Sequence, residues 1–228
     1  MRGETGAKVN GEKWWIWVWQ NLLNTYLHAS DNRGGITIDS CFPGGFPNAT
    51  IGSDRWAAQL KTEAANHQLC FAHLERDLVF LEESEKNPWA TQFKKLLKDA
   101  LALREQANER QQAFQKGQKE AWELEDRLNR LLTRPIIKDD FPETAKFQRS
   151  MIKYRNYLFP FLYDLSVPPD NNGSERAIRN VKVKQKISGQ FKTGQQDFCI
   201  IRSVIDTLLK RKLDVFTYLN KIMSLPAT

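Results

Sequence analysis

Val9-Asn10-Gly11-Glu12-Lys13-Trp14-Trp15-Ile16-Trp17-Val18-Trp19 places Asn-Gly, the pair that accepts the positive φ angles of a type I′ turn, directly before a strand-length run that is apolar on both faces. A run of that kind belongs inside a sheet with both sides covered, so the four tryptophans read as core rather than as a base-stacking surface. Residues 4–9 supply one neighbour, and Asn24-Thr25-Tyr26-Leu27-His28-Ala29-Ser30 the other. The chain therefore opens with a three-stranded antiparallel meander.

Beyond the meander, glycine and proline punctuate residues 31–53. Within them, 35–40 fit either a short strand or a short connecting helix. Asn48-Ala49-Thr50-Ile51-Gly52-Ser53-Asp54 reads as a short buried strand ending on an acid, and a helix over 55–65 follows. Asp54 thus stands at a strand-to-helix junction, where α/β sheets hold ligands and metals. His67-Gln68-Leu69-Cys70-Phe71-Ala72-His73 reads as a strand running into a long helical region. Asn87-Pro88 is an N-cap with proline at the first helical position, and Phe93, Leu96, Leu97, Ala100 and Leu101 continue at helical spacing. Leu124, Leu128, Leu131 and Leu132 mark a second helix; Phe147, Met151, Tyr154 and Leu158 mark a third. No strand signal occurs between about 75 and 165. The expected organisation is an α/β domain in two parts, 1–74 and 166–228, with a helical insertion over 75–165.

The C-terminal part carries the chemistry. Ser166-Val167-Pro168-Pro169-Asp170-Asn171-Asn172-Gly173-Ser174-Glu175 leads into a helix, after which Arg176, Arg179, Lys182, Lys184, Lys186 and Lys192 follow without another acid. Glu175 has two readings: a first-turn residue that favours the helix dipole, or a metal ligand beside a phosphate-binding surface. Ile201, Val204, Ile205 and Leu208 mark a further amphipathic helix, and Asp214 can cap a last one.

Composition limits the function classes. The 228-residue chain has a net charge of +7. All of that excess lies in residues 171–228, where eleven Lys/Arg face four Asp/Glu. This asymmetry favours a polyanionic partner, nucleic acid first. The three cysteines, Cys41, Cys70 and Cys199, are too few and too scattered for a disulfide framework, the first residues lack the apolar core of a signal peptide, and no apolar run is long enough to cross a bilayer. A cytoplasmic protein is the expectation. Cys70 and His73 form a Cys-x-x-His pair, but two ligands do not close a tetrahedral zinc site, so packing is set against metal binding.

Taken in order, Gly3-Glu4-Thr5-Gly6, Asn10-Gly11 with Trp14-Trp15-Ile16-Trp17-Val18, Ser53-Asp54, the segment from His67 through Leu74 with Arg76-Asp77, Asn171-Asn172-Gly173-Ser174-Glu175-Arg176-Ala177-Ile178-Arg179, and Ser203-Val204-Ile205-Asp206-Thr207 through Tyr218-Leu219 resemble the catalytic half of the IS66 family of insertion-sequence transposases. The resemblance covers nearly the whole chain. It implies an RNase H-like mixed sheet carrying an Asp, Asp, Glu triad, with a helical insertion before the last catalytic helix. Asp54 matches the second acid and Glu175 the third, and the cofactor implied is Mg²⁺ or Mn²⁺ at a two-metal site. Metal-bound water would cut a phosphodiester at the element's end, and the freed 3′ hydroxyl would attack target DNA. Arg176, Arg179, Lys182, Lys184 and Lys186 would neutralise DNA phosphates. The partners implied are transposon ends and target DNA, with further copies of the chain and accessory proteins of the element.

One position departs from the family pattern. The first acid should precede Glu-Thr-Gly, and here that place is Gly3, which has no ligating side chain. Glu4 is adjacent but belongs to the opposite face of the strand. The expectation is a truncated or decayed copy, or a reading frame starting inside a longer gene. Two functions stay open: a DNA-cutting and joining enzyme, or a catalytically dead or repurposed DNA-binding remnant.

Overall fold

The computed structural model describes residues 1–224, arranged in two compact units. Residues 1–45 and 171–224 make the first unit, and 46–170 the second.

In the first unit, β1 (Arg2–Val9), β2 (Glu12–Gln20) and β3 (Thr25–Ser30) form the antiparallel meander in the order β1-β2-β3. Asn10 and Gly11 both take positive φ, 50° and 85°, and Val9 faces Glu12 across a two-residue turn. The register sets Gly3 opposite Val18, Thr5 opposite Ile16 and Ala7 opposite Trp14. On this face Ala7, Val9, Ile16, Val18, Leu27 and Ala29 pack with Ala177, Ile178 and Val181 of α8 (Asn172–Ser188) and with Cys199 of α9 (Gln195–Lys210). The other face carries Trp15, Trp17 and Trp19; Trp17 stacks on Trp19 at 5.6 Å, and Trp19 meets Phe42 edge-on at 5.0 Å. Phe42 ends α1 (Gly35–Cys41), so the segment that the sequence left open is a helix. Trp17 is fully buried and Trp19 6% exposed, while Trp14 and Trp15 are half-buried, in keeping with a core role.

β3 is an edge strand, and α9 closes it. The outward N–H groups of Thr25, Leu27 and Ala29 donate to Thr207 Oγ1 (3.0 Å), Ser203 Oγ (2.8 Å) and Gln196 Oε1 (3.0 Å). Side chains at near-helical spacing on α9 thus stand where a neighbouring strand would, which keeps the edge from pairing with other chains. The double variant Ser203→Ala/Thr207→Val leaves two strand N–H groups unpaired and is expected to cost about 2–4 kcal/mol of stability. A urea titration checks this, and an unshifted midpoint would show that the edge is held by packing alone. α10 (Val215–Met223) follows, with the Asp214 carboxylate accepting from Thr217 N at 2.8 Å as its N-cap.

The second unit begins with β4 (Phe46–Ser53) and β5 (Ala64–Leu69), paired in parallel with Ser53 opposite Leu69. The strands of the chain therefore fall into two sheets, one antiparallel and one parallel. The helix expected over 55–65 is corrected: only α2 (Ala57–Leu60) forms, and Ala64, Ala65 and Asn66 are already in β5. Parallel pairing with β4 overrides the helical preference of the two alanines. All elements that follow in this unit are helical: α3 (Phe71–Ser84), α4 (Pro88–Glu109), α5 (Lys119–Thr133), α6 (Pro142–Lys153), a single 3₁₀ turn over Arg155–Tyr157, and α7 (Pro160–Tyr163). The Asn87 side chain accepts from Trp89 N at 2.9 Å, capping α4 as its sequence requires. The helical stripes converge on one core, in which Trp89, Phe93 and Phe147 pack within about 6 Å of one another. Among the described residues, no helix is long and apolar enough to cross a membrane.

Candidate functional site

Glu175 owes its position to the four residues before it. Asn171 Nδ2 donates to the carbonyl of Arg2 at 2.5 Å, fixing the start of α8 to the start of β1. At Gly173 a Cβ would come within 2.8 Å of both Gln20 Nε2 and Met1 Cε, so any larger residue would have to displace the ends of these two side chains. Ser174 is buried and accepts from Gln20 Nε2 at 3.2 Å. Glu175 comes next, in the first turn of α8 and half-buried. Sequence reasoning did not single out Gln20, Asn171, Gly173 and Ser174 as support for Glu175, because every one of these contacts joins residues more than 150 positions apart.

Gly3 lies at the same corner. A Cβ built on it would stand 3.2 Å from Ile178 Cδ1, 3.4 Å from Ser174 Cβ and 3.6 Å from Asn171 Nδ2. The strand position where the first acid is expected therefore faces the helical turn that carries Glu175. Glu4 is on the other face, as alternation requires. Its side chain is 2% exposed and accepts from Arg33 Nε at 3.2 Å and Nη2 at 3.0 Å. Arg33 also lies 4.5 Å over the Trp15 ring. Glu4 is thereby committed to an ion pair within the tryptophan face.

The basic residues of α8 separate by face. Arg179, Lys182 and Lys186 follow Glu175 at four, seven and eleven residues, which puts all four on one side of the helix. The three cations are exposed. Arg176 is exposed on a different flank. Lys184 has other engagements: its Nζ donates to Ser188 Oγ at 2.7 Å and lies 5.3 Å over the Phe191 ring. It serves the end of the helix more than an open surface.

In the second unit, Asp54 follows directly on β4 and is half-buried. Its Oδ1 accepts from Trp56 N at 2.9 Å, an Asx-type turn that stops the strand. The neighbouring Ser53 is buried, and its carbonyl accepts from Cys70 N at 2.8 Å, so Asp54 and Cys70 share the C-terminal end of the parallel pair. This is the end where such sheets carry function. Arg55 pairs with Asp77 and rests 4.7 Å over Phe147. Cys70 is 2% exposed, and His73 is half-buried one turn later.

No group of three or more His, Cys, Asp and Glu side chains among the described residues is placed to hold a metal ion. Gly3 supplies no donor, and the matched acids Asp54 and Glu175 are two carboxylates where a two-metal site uses three. The residues present do not fit such a site. Among the described residues, Cys70 and His73 belong to no group of three or more His, Cys, Asp and Glu side chains that could hold a metal ion.

Residues 2–196 match the family model described as Transposase IS66 family. Comparison with curated proteins and comparison with solved structures gave no match.

Proposed function

Because the chain belongs to the IS66 transposase family, we propose that it is the RNase H-like, DDE-type catalytic fold of such an enzyme, and that as it stands it engages DNA without cutting it. One observation carries this reading: the strand position of the first acid faces the turn of α8 that bears Glu175, and it is occupied by glycine. The element order, an antiparallel meander followed by a parallel pair and an all-helical stretch before α8, supports this reading, while the strands form two sheets rather than the one mixed sheet expected.

The chain's own residues then divide the work. Arg179, Lys182 and Lys186 offer phosphates a positive stripe that ends at Glu175, so a bound backbone runs toward the carboxylate. Arg176 adds charge from a second flank. Asn171, Ser174 and Gln20 hold the turn in place. Asp54, fixed by its own turn at the end of β4, is the second carboxylate of the family pattern. Divalent-metal cleavage needs the missing donor at position 3.

The DNA part is tested by fluorescence anisotropy with duplex DNA over a salt series. Neutralising Arg179, Lys182 and Lys186 together by glutamine is expected to weaken binding on the order of ten-fold or more, and to flatten the log–log salt slope by about 2 to 3. Asp54→Ala should leave affinity unchanged. Equal affinity and slope in the triple variant would remove α8 from the interface.

A further inference from the structure

The helical unit contains a second concentration of positive charge, apart from the α8 stripe. A cavity of about 300 Å³ lies between α4 and α5, lined by Gln92, Lys95, Arg127, Arg130, Leu131 and Arg134. We propose that this cavity binds the phosphate backbone of DNA, as a contact separate from the α8 stripe.

The sequence puts these cations together. Arg127, Arg130 and Arg134 recur at three- and four-residue spacing on α5 and at its C-cap, while Ala121, Leu124, Leu128 and Leu132 bury the opposite face. Gln92 and Lys95 lie one turn apart on α4 and complete the wall. Two carboxylates share the site: Asp99 takes Arg127 at 2.8 Å and Lys95 at 3.6 Å, and Asp126 takes Arg130 at 2.8 Å. Arg134 Nη1 donates to Gln92 Oε1 at 3.1 Å. Four cations therefore face two carboxylates, and the cavity is net positive.

The existing pairs do not close the site. The side chains of Lys95 and Arg130 are 71% and 69% exposed, and ion pairs at such exposure contribute about 0–1 kcal/mol. A phosphate offers a guanidinium the same two-point geometry as a carboxylate, so it can replace Asp126 or Asp99 at little cost. Low-dielectric walls concentrate the potential of the cations that line them. A volume near the lower end for ligand sites admits a stretch of backbone and excludes a whole duplex, which suits a groove-edge contact. The anion chemistry follows from these residues alone. That the anion is DNA rests on the reading proposed above.

The test uses the full chain, a labelled duplex and two sets of substitutions measured side by side. Lys95→Gln/Arg130→Gln/Arg134→Gln is expected to lower the salt slope by about one for each phosphate that is no longer neutralised, and to weaken binding at low salt. Arg130→Glu alone, at an exposed position that leaves the core intact, should also weaken binding, and both variants should keep the thermal midpoint of the parent. Unchanged affinity and slope in both would overturn the proposal. If the cavity variants lose affinity while the α8 triple variant does not, the cavity stands and the α8 stripe falls. The reverse result removes the cavity only. Polyglutamate that displaces the duplex at equal charge concentration from the α8 triple variant would overturn DNA as the occupant.

Discussion

Arg104→Ala is expected to destabilise the helical unit by about 3–4 kcal/mol, measured as a lower urea midpoint at unchanged slope. Arg104 is 7% exposed on a helix whose neighbouring inward positions are Ala100 and Ala107. Its Nη1 donates to the carbonyls of Phe161 and Asp164, and Nη2 to that of Leu165. Phe161 lies within α7, a helix of one turn that leaves its carbonyl without an intrahelical partner, and Asp164 and Leu165 follow its end, where the Asp164 carbonyl also accepts from Val167 N at 3.1 Å. A cation at a helix C-terminus is favoured by the dipole as well as by the hydrogen bonds. Burial holds the pKa of the guanidinium below its ordinary value, a cost that the carbonyls must offset. Alanine removes the donors and leaves a void; lysine, a point charge, cannot span three carbonyls and should recover only part of the loss. Arg104→Met, which keeps much of the stem, separates packing from hydrogen bonding. A midpoint for Arg104→Ala equal to that of the parent would show that water satisfies these carbonyls equally well.

Gly3→Asp is expected to convert a DNA-binding chain into one that nicks DNA in the presence of Mg²⁺ or Mn²⁺. The backbone accepts the change, since Gly3 is not among the glycines that use positive φ. The tightest contact of the new Cβ, 3.2 Å, is to the terminal methyl of Ile178, which can turn aside. The other neighbours, Ser174 and Asn171, leave ordinary room. The carboxylate would then stand beside the turn that carries Glu175. Substitutions that only support metal ligands already cost about 10–100-fold, so restoring a ligand itself should raise nicking by more than about 100-fold. Glu4 cannot serve in its place, because Arg33 holds it on the opposite face.

Local chemistry made much of this fold legible. Asn10-Gly11 specifies its turn within two residues, and Asn87-Pro88 and Asp214 state their caps in the sequence that forms them. The run Trp14–Trp19 announces a covered strand because every second position on both faces is apolar. The failures are long-range. Residues 55–65 carry helical composition, yet Ala64 pairs with a strand that lies before it in the chain and Ala65 continues the same strand, a preference that no local window contains. The five cations of α8 look alike in sequence, and only Phe191 and Ser188 set Lys184 apart. At the candidate site, Asp54 and Glu175 were visible as acids at element boundaries. The corner that holds Glu175 was not, because Gln20 and Ser174 meet only after the chain has folded. Ser203 and Thr207, part of the segment that carries the resemblance, close the edge of β3, a contact that no local window contains.

On the proposed reading, position 3 and Glu175 belong to one site, and glycine silences it. A supercoiled-plasmid nicking assay with Mg²⁺ and with Mn²⁺ compares the parent, Gly3→Asp, and Gly3→Asp/Glu175→Gln. Background cleavage is expected from the parent, metal-dependent nicking from Gly3→Asp, and a return to background in the double variant. Nicking that survives in the double variant, or none from Gly3→Asp although it folds and binds DNA, would contradict a shared site.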